Sequence, residues 1–192
     1  MHKGRLEAFS DGVIAIIITI MVLELKAPHG ADLAALAGTF HVFVGYVLSF
    51  VYVGIYCNNH HHMFQLVKNI DGSVLWANLH LLFWLSLFPF ANAWMGETYY
   101  AMWPVITYGV VQLMAAAAYS ILVWRLIAIN GRDSALAIAV GKDVKGHISL
   151  VIFLAALPLA FVHTYLSLAC YLAVALLWLI PDKRMEKAFG RT

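Results

Sequence analysis

Long apolar runs separated by short polar segments set the plan of this chain. From Val13 to Leu23, Thr19 is the only polar side chain. The stretch 33–67 contains no Asp, Glu, Lys or Arg, and neither does 148–180. A helix needs about 20 apolar residues to cross the hydrocarbon core of a bilayer. The pattern therefore predicts six transmembrane helices, at 6–26, 33–57, 74–95, 98–124, 147–162 and 164–181. The last two come from one charge-free stretch too long for a single crossing, divided at Pro158 and at the polar pair His163-Thr164. The expectation is a single all-α integral membrane domain over 1–192, with loops too short to hold a soluble domain.

Composition agrees with the pattern. Of 192 residues, 63% are hydrophobic and 11% charged, against about 25% charged in soluble domains. A formal net charge of +2 gives no reason to expect a nucleic-acid partner. Cys57 and Cys170 both lie in apolar runs and make no disulfide framework. Lys3 and Arg5 before an apolar run have the look of a secretory signal, but Glu7 and Asp11 interrupt the region that should be uniformly apolar. The segment reads instead as a retained helix.

Charge also orients the spans. With both termini cytoplasmic, Lys3, Arg5, Lys68, Arg125, Arg132, Lys142, Lys145, Lys183, Arg184, Lys187 and Arg191 fall inside, and only Lys26 falls outside. Trp76, Trp94, Trp103, Trp124 and Trp178 stand near predicted span ends, as an interfacial belt would.

Candidate chemistry is sparse. On a helix of 3.6 residues per turn, Gly12, Ile16, Thr19, Ile20 and Leu23 share one stripe, with Glu7, Ser10 and Asp11 roughly opposite. Pattern alone makes that stripe a packing or lipid-facing surface. In "YCNNHHHMF", Tyr56 to Phe64, three consecutive histidines point in different directions, and no carboxylate stands at metal-ligand spacing. A structural or interfacial role is expected there, and no metal site. His41 and His80 are conceivable haem ligands, but with no haem motif they read as interhelical hydrogen-bonding groups. "TYGV", Thr107 to Val110, sits within a continuous helical pattern and is not a selectivity-filter loop. No nucleophile elbow, P-loop or zinc-protease motif occurs, so no catalytic residue and no cofactor is assigned.

"RLEAFSDG", with Arg5, Phe9, Ser10 and Asp11, resembles the R-x-x-x-F-S-D signature on the first helix of the transmembrane protein 175 family of potassium channels. "NHH", Asn59 to His61, is similar to the family's motif after the second helix, and "LWANLHLLFWLSLFPF", Leu75 to Phe90, to its third helix. One departure is Cys57, where the family pattern has an aromatic such as tryptophan. The resemblance implies a homotetramer in a cell membrane that conducts K⁺ without a filter loop, through a central pore lined by the first helix. Carried onto this chain, it puts constrictions at Ile16, Ile20 and Leu23 and a selectivity layer at Thr19. It makes the Arg5, Phe9, Ser10, Asp11 cluster an anchor to neighbouring helices, with Asn59, His60, His61 and Asn78 as candidate partners. The alternative reading of the same residues is a proton-coupled transporter or proton pathway using Asp11 and the histidines.

Overall fold

The computed structural model describes residues 3–180, and among them every regular element is an α-helix. In chain order these are α1 (Lys3–Leu23), α2 (Leu33–Gly38), α3 (Phe40–Gln65), α4 (Gly72–Ser86), α5 (Phe88–Glu97), α6 (Met102–Asn130), α7 (Ala135–Val140), α8 (Val144–Val162) and α9 (Thr164–Leu179). Five stretches are long and apolar enough to cross a membrane: α1, α3, α4 with α5, α6 and α8. The sixth expected crossing corresponds to α9, whose 16 residues rise only about 24 Å at 1.5 Å per residue. Pro181 and the basic residues Lys183, Arg184, Lys187 and Arg191 lie outside the described residues.

Helix boundaries follow caps and breakers more closely than hydrophobicity. The expected span 33–57 is replaced by a short α2 and a long α3 that ends eight residues later, at Gln65. Asp32 caps α2, accepting from Ala35 N at 2.8 Å, and α2 ends at Gly38, with Thr39 between it and α3. A charge-free run longer than one crossing does not say which part of it crosses. The Asn and His residues therefore belong to the last turns of α3 and not to a following loop. Pro89 interrupts the third span: it has no N–H to return to Leu85, and the chain kinks at Leu87 between α4 and α5.

In the last third, Pro158 lies inside α8 without ending it. The break falls at His163, in extended conformation, whose Nδ1 accepts from Tyr165 N at 3.3 Å and starts α9. α6 outlasts the expected 98–124 and passes through Arg125 to Asn130, where Gly131 adopts φ +95° and ends it.

α6 packs against α4, α5, α8 and α9, while α1 lies on the other side against α3, α4 and α5. Between them sits an aromatic core of Tyr52, Phe88, Tyr108, Phe153 and Tyr171. Tyr108 and Gly109 of the "TYGV" stretch belong to it: Tyr108 meets Ser49 Oγ at 3.0 Å, and Gly109 leaves room for the Tyr171 ring.

Candidate functional site: the outward face of the first helix

The buried positions of α1 are Leu6, Ser10, Ile14, Ile17 and Met21. Their spacing of four, four, three and four residues makes one continuous stripe turned toward α3, α4 and α5. The polar member of that stripe is the centre of a relay. Ser10 Oγ donates to the Leu6 carbonyl at 2.9 Å, and Asn78 Nδ2 on α4 donates to Ser10 Oγ at 2.9 Å. His60 Nε2 on α3 meets Asn78 Oδ1 at 2.8 Å. An amide oxygen only accepts, so His60 carries its proton on Nε2. Ser10, His60 and Asn78 are each almost wholly buried. The relay ties α1 to α3 and α4 and fixes its rotation about its own axis, while His60 Nδ1 stays buried with no hydrogen-bond partner among the described residues.

Lys3 adds a second fixing point. Its Nζ donates to the carbonyls of Phe64 at 2.9 Å and Val67 at 3.1 Å, neutralising acceptors left over at the end of α3. Sequence reasoning missed Lys3, because nothing local to it says which helix end it will reach.

The other signature residues stand apart from this relay. Arg5, Phe9 and Asp11 are exposed, and neither Arg5 nor Asp11 makes a hydrogen bond or ion pair among the described residues. His61 is exposed and pairs along its own helix with Gln65 at 2.6 Å. The Asn59 backbone carbonyl accepts from Tyr119 on α6, and its side chain lines a separate cavity with Tyr52, Tyr56 and Tyr119. The candidate haem histidines have local partners: His41 stacks on Tyr99 with ring centroids 4.1 Å apart, and His80 Nε2 accepts from Trp84 Nε1 at 2.9 Å.

Opposite the relay, α1 is uncovered. Ile16 is 58% exposed, Ile20 41% and Leu23 77%, and Thr19 is exposed beside them. Thr19 Oγ1 donates to the Ile16 carbonyl at 2.9 Å, which leaves its lone pairs pointing away from the helix. Ile16 and Ile20 also border an open cleft of about 540 Å³ with Val13, Ile17, Glu24, Ser86, Pro89, Phe90 and Ala93. At the same end of α1, Lys26 is paired with Glu97, which raises the Lys26 amine above its ordinary value. At the opposite end, Asp71 accepts from Ser73 and Val74 at the start of α4, which holds its carboxyl below the usual range.

Comparison with known proteins places this architecture. Residues 5–89 match the family described as endosomal/lysosomal potassium channel TMEM175. A potassium channel of Chryseobacterium sp. (strain P1-3) is 53% identical over 188 residues, covering 98% of each chain. A potassium channel of Streptomyces collinus is 33% identical over 65% of each chain. The human endosomal/lysosomal proton channel TMEM175 is 31% identical over 47% of this chain and 20% of its own length. The crystal structure of a lysosomal potassium-selective channel TMEM175 homologue from Chamaesiphon minutus matches with a TM-score of 0.81 and 27% identity, over 93% of this chain and 96% of that one. A multi-pass helical chain with this fold and this near-full-length relative belongs to the TMEM175 family of potassium channels.

Proposed function

We propose that this chain assembles as a homotetramer in the cell membrane and conducts K⁺ passively through a central pore lined by α1, with α9 as a short sixth crossing and both termini cytoplasmic. The observation that carries this reading is the uncovered stripe Ile16, Thr19, Ile20 and Leu23, on a helix whose opposite face is locked by the Ser10–Asn78–His60 relay. Four isoleucine or leucine side chains meeting on an axis close a pore by dewetting. Ile16, Ile20 and Leu23 are the constrictions. Thr19 hydroxyl oxygens between those layers replace part of the hydration shell of a passing ion, without a carbonyl filter.

The direct test is Ile16→Asn in protein reconstituted in liposomes. A polar ring wets the constriction, so K⁺ flux rises and loses regulation. Flux identical to the parent chain would remove the gate assignment. The proton reading is favoured by one observation, the name proton channel borne by the human relative. It separates from the K⁺ reading by the reversal potential under a pH gradient at symmetric K⁺: zero for a K⁺ channel, shifted toward the proton equilibrium potential for a proton path.

A further inference from the structure

Glu24 follows α1 directly and stands four residues beyond Ile20 and eight beyond Ile16, in the same cleft as both. It is half-buried, and its carboxylate makes no hydrogen bond or ion pair among the described residues. The nearest cation in sequence, Lys26, feels its charge but is engaged by the carboxylate of Glu97. A carboxylate held on an apolar wall, with the adjacent lysine spoken for, is an uncompensated negative charge at one end of the proposed conducting stripe.

We propose that Glu24 from each copy forms a cation-binding ring at the outer mouth of the pore, which concentrates K⁺ ahead of the Leu23, Ile20 and Ile16 constrictions. The site is incomplete in one chain, and it rests on the pore reading given above. Carboxylate rings serve cation pores by raising the local counter-ion concentration. The effect belongs to low salt: the screening length is about 30 Å at 0.01 M and about 3 Å at 1 M. A ring that concentrates ions therefore matters when K⁺ is scarce and disappears when it is abundant.

The experiment measures single-channel conductance of the full chain in planar bilayers at about 10 mM and about 1 M KCl, a range over which screening changes tenfold. Glu24→Gln lowers conductance several-fold at low K⁺ and leaves it near the parent value at high K⁺, while Glu24→Asp follows the parent at both. A constant ratio of Glu24→Gln to parent at both concentrations overturns the ring. A measurement on the unmutated chain makes the same test independently of folding. At constant low K⁺, adding N-methylglucamine chloride on the Glu24 side screens the ring and lowers conductance, and unchanged conductance overturns the proposal. Failure of the pore reading is distinguishable: Ile16→Asn then leaves conductance unaltered, whereas failure of the ring alone leaves the Ile16→Asn effect intact.

Discussion

The two faces of α1 differ little in hydrophobicity and greatly in what surrounds them. Ile14, Ile17 and Met21 are covered by α3, α4 and α5, while Ile16, Ile20 and Leu23, one or two residues away, are left exposed by their own chain, at 58%, 41% and 77%. In a bilayer, apolarity does not distinguish a side chain that packs in the subunit from one that faces lipid, a partner or a pore. Polar residues make the distinction, because each needs a partner. Ser10 finds Asn78 and so turns its face inward. Thr19 satisfies itself on the Ile16 carbonyl and stays outward.

The comparison breaks most easily on the isoleucines. Ile14 is fully buried and Ile16 is 58% exposed, so Ile14→Ala removes packed methyl groups and Ile16→Ala does not. Truncation of a packed isoleucine costs about 2–5 kcal/mol. The temperature of thermal aggregation in detergent is expected to drop strongly for Ile14→Ala and barely for Ile16→Ala. If the two fell equally, the inward face would be wrongly assigned. A smaller loss is expected from Asn78→Ala, which leaves the buried His60 N–H without its acceptor and removes the donor to Ser10. An orphaned buried donor costs about 1–3 kcal/mol. Because Ser10 loses the same bond, Ser10→Ala combined with Asn78→Ala should destabilise less than the sum of the two. Strict additivity in a double-mutant cycle would mean the relay does not couple α1 to α4.

Much of this was readable before the fold. The stripe of Ile16, Thr19, Ile20 and Leu23 follows from helical spacing alone, and the structure leaves those four residues together on one uncovered face. Helix registers were harder. The run 33–67 is free of charged residues throughout, and only Asp32, Gly38 and the last turns around His60 reveal that α3 occupies its second part. Pro158 misled in the opposite sense, since a proline within an apolar helix is tolerated where neighbouring helices and local adjustment absorb its missing bond. The signature motif suggested one anchor, but its members separate: Ser10 turns inward, and Arg5, Phe9 and Asp11 remain on the surface. Adjacent positions on a helix differ by about 100°, so four residues read as a unit in sequence need not act as one in space.

Asp71 gives a further, weaker contrast, between an end of the bundle fixed by capping and a stripe fixed by packing. Its carboxyl is held below the ordinary value of 3.8, first by Ser73 and then by Val74. A depressed carboxyl contributes stability that is present above the unfolded value and is lost as pH falls through the folded one. Acid should therefore weaken the start of α4 only below about pH 4, where an ordinary Asp is taking up its proton. Asp71→Asn flattens the acid limb of a stability–pH profile and leaves neutral pH almost untouched. An acid limb of the same slope in the variant would show that the cap does not stay charged in the fold.

The smallest effect on stability is expected at Thr19, and there the comparison is sharpest. Thr19→Ala removes an exposed hydroxyl bonded within its own turn, and surface changes of that kind stay within about 0.5 kcal/mol. A packing residue that costs nothing to lose should do nothing else either. A pore residue should leave the melting curve unmoved and still change which ions pass, because its hydroxyl acts on the ion and not on the fold. Under bi-ionic K⁺/Na⁺ conditions the variant's reversal potential is expected to move toward zero as preference for K⁺ declines. An unmoved reversal potential alongside an unmoved melting curve would return Thr19 to the lipid-facing surface that helical spacing alone had suggested.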